Sequence, residues 1–387
     1  MNFFKRRQRD PAVAAETTTT THHREKRAPP VAMNMSRRPT FGQWLKVTWL
    51  DIFTMAAMGM IGLGVYTAHP APSRSFPVFF QDGEIVYPQF AYPMRNEIVP
   101  IWAAALLASL VPIAIFLIMQ IRIRSFWDVN NANIGLLYSL ITAAVFQVFL
   151  KWLIGGLRPH FLAVCKPNLP AITAQETGNG LRQIMYDRTI CTGDESEIDD
   201  SLESFPSGHS TAAFAGFVFL SLYLNAKLKV WSNYHPAMWK LIATYAPILG
   251  ATLIAGALTI DEYHNWYDCL AGAIIGTVMA FSSYRMVYAS IWDWRTNHIP
   301  LNRAVAFPGS GGEVDLEHAV FTRKVGWGIA GSDMGGHGHI GSSHGVGVSG
   351  HHGNGNGVGS GVGNGSSYTS RKPVAANGHH HASETMV

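Results

Sequence analysis

The chain has 387 residues, of which 48% are hydrophobic and 14% charged, with a mean hydropathy of +0.10 despite two visibly polar termini. A formal net charge of +4 is too small to argue for nucleic-acid binding. The apolar residues must crowd into the middle, at a density that excludes an ordinary soluble globule, whose helices are seldom apolar all round.

Residues 1–43 carry a Lys/Arg-rich start, a Thr run from Thr17 to Thr21 and the pair Pro29 and Pro30, without apolar periodicity. This predicts a disordered tail that lacks the apolar core of a cleavable signal peptide, so the first span serves as an uncleaved insertion signal. Six stretches of roughly 20 residues with few charges follow, each suited to cross a bilayer as a helix. They run from Val47 to Ala68, Ile98 to Ile121, Ile134 to Ile154, His209 to Leu224, Leu241 to Ile260 and Cys269 to Tyr288; the fourth is short and rich in Ala and Ser. Arg37 and Arg38 precede the first span, Arg122 and Arg124 follow the second, Lys227, Lys229 and Lys240 lie between the fourth and fifth, and Arg285 and Arg295 end the sixth. By the positive-inside rule these segments are cytoplasmic, which places both termini in the cytoplasm and the loops 69–97, 155–208 and 261–267 on the luminal or exterior side. The expected organisation is a disordered tail 1–43, a six-span membrane domain 44–295 and a disordered Gly/Ser/His-rich tail 296–387.

The loop 69–97 is rich in aromatic residues, Phe79, Phe80, Tyr87, Phe90 and Tyr92 among them, and reads as an interfacial belt or as the lip of a site. Asp51, near the start of the first span, is assigned no chemistry. Cys165 and Cys191 share the second outward loop, where a disulfide and two separate thiols both remain open. The acidic run from Asp194 to Asp200 lacks the glycine and spacing of a calcium loop and reads as solvated.

Three stretches carry chemistry. Lys151 precedes Arg158 by seven residues, about two helical turns, so both are expected on one helix face at the end of the third span; they form an anion clamp, or else Lys151 simply snorkels. Phe205 to Ser210 reads Phe-Pro-Ser-Gly-His-Ser at the mouth of the fourth span. That is either a plain N-cap or an anion site built from helix N–H groups, a hydroxyl and an imidazole. His264 and Asp268 are four apart, a spacing that on a helix lets the carboxylate hold one ring nitrogen and leaves the other free as nucleophile or base. All three stretches open on the same side of the membrane. Together they suit phosphoryl transfer through a phosphohistidine, one imidazole attacking phosphorus and the other protonating the leaving oxygen.

The order Lys-x6-Arg-Pro, Pro-Ser-Gly-His and His-x3-Asp resembles the type 2 phosphatidic acid phosphatases, the lipid phosphate phosphatases related to vanadium haloperoxidases, over roughly residues 44 to 292. The resemblance implies an all-α six-helix bundle of that type in which Lys151, Arg158, Ser207 and Gly208 bind phosphate. It further implies that His209 protonates the leaving group and that His264 is a nucleophile oriented by Asp268. It implies a lipid phosphate as the partner in the bilayer, with no metal and no cofactor. The third family signature, Ser-Arg-x5-His-x3-Asp, is incomplete, because Ala257 and Leu258 stand where Ser-Arg is expected. Arg182 or Arg188 is the candidate replacement cation, and a relative that binds phospholipid head groups or partner proteins without turnover is the alternative reading.

Overall fold

Thr40 opens the first helix through a capping box, its hydroxyl accepting from the Gln43 N–H while the Gln43 side chain accepts from the Thr40 N–H. The computed structural model describes residues 38–68, 75–79, 85–168, 178–180 and 183–303; both tail ends, Phe80 and Arg182 lie outside the described residues. All six expected spans are helices long and apolar enough to cross a membrane: α1 (Phe41–Tyr66), α2 (Ile101–Ile123), α3 (Phe126–Ile154), α6 (Gly208–Leu228), α7 (Met238–Ile260) and α8 (Trp266–Val287). Two short helices, α4 (Phe161–Cys165) and α5 (Glu195–Ser201), lie in the long loop before α6.

The third span starts at Phe126 rather than Ile134, since the Ser125 hydroxyl caps it by accepting from the Asp128 N–H at 3.3 Å. Its first turns hold the buried Asp128 and Asn131, which interrupt the apolar pattern. Asp128 accepts from Lys227 at 2.5 Å and from Tyr223 at 2.9 Å, and Lys229 donates to Asn297 and to the Trp294 carbonyl. Lys227 and Lys229 are therefore buried in the bundle rather than spread over head groups. Burial and the neighbouring Lys227 push the Lys229 amine down to about 6.

The short fourth span is the axis of the bundle. α6 packs against α2, α3, α7 and α8 and is almost wholly buried, which accounts for its Ala and Ser content: small side chains let neighbouring backbones approach. A Cβ on Gly272 would lie 2.6 Å from the Ser207 carbonyl and one on Gly276 2.5 Å from that of Thr211, so α8 meets α6 backbone to backbone beside the site.

Two further features depart from the sequence reading. A three-stranded antiparallel sheet, order β1 (Phe76–Pro77), β3 (Gln183–Tyr186), β2 (Gly178–Gly180), joins the loop between α1 and α2 to the loop between α3 and α6. Residues beyond 295, assigned to the tail, continue the fold: Asn297, His298 and Ile299 are buried, the Leu301 N–H donates to Val287 and Arg303 pairs with Asp51.

Cys165 and Cys191 form a disulfide that closes a loop of 26 residues, next to a small core of Phe76, Phe161, Tyr186 and Ile190. Cys165→Ser is expected to cost about 3 kcal/mol, read as a lower midpoint of thermal unfolding in detergent, with wild type falling to match it when a reductant is added.

Candidate active site

The third span does not carry Lys151 and Arg158 on one helical face. α3 stops at Ile154, where Gly155 and Gly156 take φ of +57° and +126°, a region that favours glycine. Arg158 instead reaches the site along an extended segment. The Gly156 N–H donates to Leu202 at 2.8 Å and the Arg158 N–H to Ser201 at 2.9 Å, while Ser204 and Phe205 donate back to Gly156 and Gly155. The segment 201–205, immediately after α5, is thus laced to the clamp backbone.

Both clamp cations face carboxylates. Arg158 Nη2 lies 2.6 Å from Asp200 Oδ1, and Lys151 Nζ 3.5 Å from Glu203 Oε2. The Arg158 guanidinium also covers the Tyr263 ring at 5.0 Å, and its Nε has no hydrogen-bond partner among the described residues. The acidic run is largely exposed, as expected of solvated residues, but it is a helix rather than a loop and several of its carboxylates are engaged: Asp194 caps α5, Asp199 holds Arg188, and Asp200 reaches into the site. With Arg188 held there, it does not replace the missing arginine. Leu258 is fully buried, and its carbonyl accepts from the N–H groups of Tyr263 and His264.

His264 and Asp268 do not share a helix. Asn265 caps α8, so His264 precedes the helix and Asp268 sits in its first turn. Glu262, held at a left-handed φ of +61°, turns the chain between α7 and α8, and its carbonyl lies 3.1 Å from His160 Nδ1, a fixed point for the strained turn that aims His264. The His264 Nδ1 to Asp268 Oδ2 distance of 3.6 Å is an electrostatic contact rather than a hydrogen bond. Ser204 bridges the two, donating to Asp268 Oδ2 at 2.5 Å with its oxygen 3.5 Å from His264 Nδ1. Sequence reasoning overlooked Ser204, which stands directly before the Phe205 motif; the signal available was a hydroxyl adjoining a site segment.

His209, in the first turn of α6, bonds to the Val99 backbone, leaving Nε2 without a hydrogen-bond partner among the described residues and 3.7 Å from Glu97 Oε1. Burial pushes the Glu97 carboxyl above its usual range, opposed by Arg158. The two imidazole rings lie edge to face, with centroids 6.4 Å apart and planes at 71°. Ser207 is both cap and site neighbour: its oxygen accepts from the Ser210 N–H, and its own N–H donates to the Asp268 carbonyl. Gly208 opens the helix beside Gln147, whose amide donates to the Pro206 carbonyl at 3.0 Å and steadies the turn. Lys151, Arg158, Ser207, Gly208, His209, His264 and Asp268 thus gather at one end of the bundle.

Burial, and secondarily the Arg158 charge, push the His264 imidazole down to about 4 against the upward pull of Asp268, so the ring is neutral at neutral pH. Its depressed value means that stability falls as pH drops from the ordinary histidine range toward 4, where the unfolded chain binds the extra proton. Ser204→Ala is expected to shift this pH dependence of unfolding, read as the midpoint of thermal unfolding across pH 4 to 7, whereas Ser204→Thr keeps it.

The family model of the PAP2 superfamily matches residues 132–292. A PA-phosphatase related-family protein of Dictyostelium discoideum is 36% identical over 214 residues, 55% of this chain and 63% of that protein. The probable lipid phosphate phosphatase 4 of Arabidopsis thaliana is 33% identical over 244 residues, covering 63% and 73% of the two chains. Diacylglycerol pyrophosphate phosphatase 1 of Saccharomyces cerevisiae is 29% identical over 276 residues, covering 71% and 89%. The chain spans less than two thirds of the first of these relatives. No solved structure gives a significant match.

Proposed function

The chain belongs to the PAP2 superfamily, and from that premise we propose that it is a multi-pass membrane lipid phosphate phosphatase acting through a phosphohistidine on His264. The observation that carries this reading is the pair of neighbouring imidazoles, edge to face with 6.4 Å between centroids, at the same end of the bundle as the partly buried Lys151 and the buried Arg158. His264 Nε2 is the ring nitrogen turned away from Ser204 and Asp268. It attacks phosphorus as the bond to the lipid oxygen breaks, and His209, which enters the step as the imidazolium between Glu97 and the bound phosphate dianion, delivers its Nε2 proton to that oxygen and becomes neutral. Water then gives its proton to His209 and attacks phosphorus, freeing His264 and phosphate. Lys151 and Arg158 take the charge on the equatorial oxygens, so the reaction needs no metal ion or cofactor. The substrate class is a phosphomonoester or pyrophosphate head group, as in phosphatidic acid, lysophosphatidic acid and diacylglycerol pyrophosphate. By the charge distribution the site faces the lumen or exterior with both termini in the cytoplasm.

Phosphate release from phosphatidic acid and diacylglycerol pyrophosphate in mixed micelles, with a chelator present, tests the reading. Release no faster than that of a His264→Ala control sinks it. A second reading, head-group binding without turnover, is favoured by the buried Leu258 in place of an arginine. Orthovanadate binding with no phosphate release selects it.

A further inference from the structure

We propose that Asp200 and Glu203 are resident counter-anions of the phosphate clamp, and that a head group binds by displacing them, which makes these two carboxylates determinants of anion selectivity. The inference rests on the reading of Lys151 and Arg158 as phosphate ligands.

Asp200 lies 2.6 Å from Arg158 and Glu203 3.5 Å from Lys151, so two carboxylates stand where two phosphate oxygens would contact the same cations. Their position is set by the backbone, through the hydrogen bonds between segments 155–158 and 201–205. The partners of the shorter pair differ in freedom: the Arg158 side chain is 5% exposed and that of Asp200 49% exposed. The arginine is therefore the fixed partner, stacked on Tyr263, and the aspartate is the one that water can receive. Arg158 Nε, buried and without a hydrogen-bond partner among the described residues, is a donor left over for an incoming oxygen.

Charge decides the consequence. With Leu258 in place of an arginine, two cations are matched by two carboxylates, and an entering anion must outcompete both. A phosphate dianion, or the more highly charged terminal phosphate of a pyrophosphate, can do so by engaging both cations together. A phosphodiester, with a single charge, exchanges two ion pairs for at most one full charge and is selected against. Glu97 faces His209 and feels the Arg158 charge without pairing with either clamp cation.

The test measures the dissociation constant of orthovanadate, a phosphate analogue, on the detergent-solubilised full chain by tryptophan fluorescence or calorimetry, so that it does not depend on turnover. The Asp200→Asn/Glu203→Gln double variant is expected to bind about tenfold more tightly than wild type. Asp200→Asn alone, at the half-exposed position, is expected to bind about threefold more tightly and serves if the double variant does not fold. Glu195→Gln, on the same helix and near Arg188, is expected to leave the constant unchanged. Unchanged or weaker binding in the aspartate and glutamate variants overturns the inference, as does equal tightening in Glu195→Gln. Lys151→Ala and Arg158→Ala are run in parallel. If they bind vanadate as wild type does, the clamp reading itself has failed; if they lose it while the carboxylate variants are silent, only this inference has.

Discussion

Replacing His264 by alanine is expected to lower phosphate release by roughly 10⁴-fold or more, with little change in KM, because on the proposed mechanism it removes the atom that bonds to phosphorus. On the proposed mechanism no other group takes over, because His209, with its centroid 6.4 Å away, is assigned the proton of the leaving oxygen. The same variant is expected to trap no labelled protein when lipid carrying radioactive phosphate is quenched in alkali, whereas wild type yields acid-labile phosphohistidine. Folding is not the concern, since the turn is held by Glu262, Asn265 and the Leu258 carbonyl rather than by the ring. A variant that keeps more than about a hundredth of wild-type turnover excludes His264 as nucleophile.

The second large effect belongs to His209. As the leaving-group acid it is expected to be worth roughly 10²- to 10⁴-fold on phosphatidic acid, where the departing glycerol oxygen is a poor leaving group. On diacylglycerol pyrophosphate the departing group is itself a phosphate, more acidic and less in need of a proton. His209→Ala is therefore expected to cost at least tenfold less on the pyrophosphate than on the monoester. Equal losses on both substrates indicate that His209 acts on binding or structure rather than on the proton.

Much of this was legible in the chain. Six apolar stretches gave six helices because a bilayer demands length and low charge, both properties of composition. The fourth looked weakest because its place at the centre of the bundle replaces bulky apolar side chains with small ones, an effect of neighbours invisible in a single segment. Polar residues at the start of α3 hid two helical turns for a similar reason: Asp128 is tolerated because Lys227, Tyr223 and Tyr288, far along the chain, satisfy it together with Gln120.

The site residues were named from motif order, and the structure gathers them at one end of the bundle, but two of the geometric reasons given for them fail. Lys151 and Arg158 meet through a break at Gly155 and Gly156, not through helical periodicity, and His264 meets Asp268 across a helix cap with Ser204 as intermediary.

The sequence by itself determined the membrane class and the approximate spans, which are matters of local composition, while its resemblance to a known family supplied the motif residues and the signature position where Leu258 stands in place of an arginine. Only the tertiary structure decided that Asp200 and Glu203 face the clamp, that Ser204 ties His264 to Asp268, and that residues beyond 295 belong to the fold. Those pairings join positions from about 40 to 170 residues apart, and their energy depends on distance in space, which linear spacing does not encode.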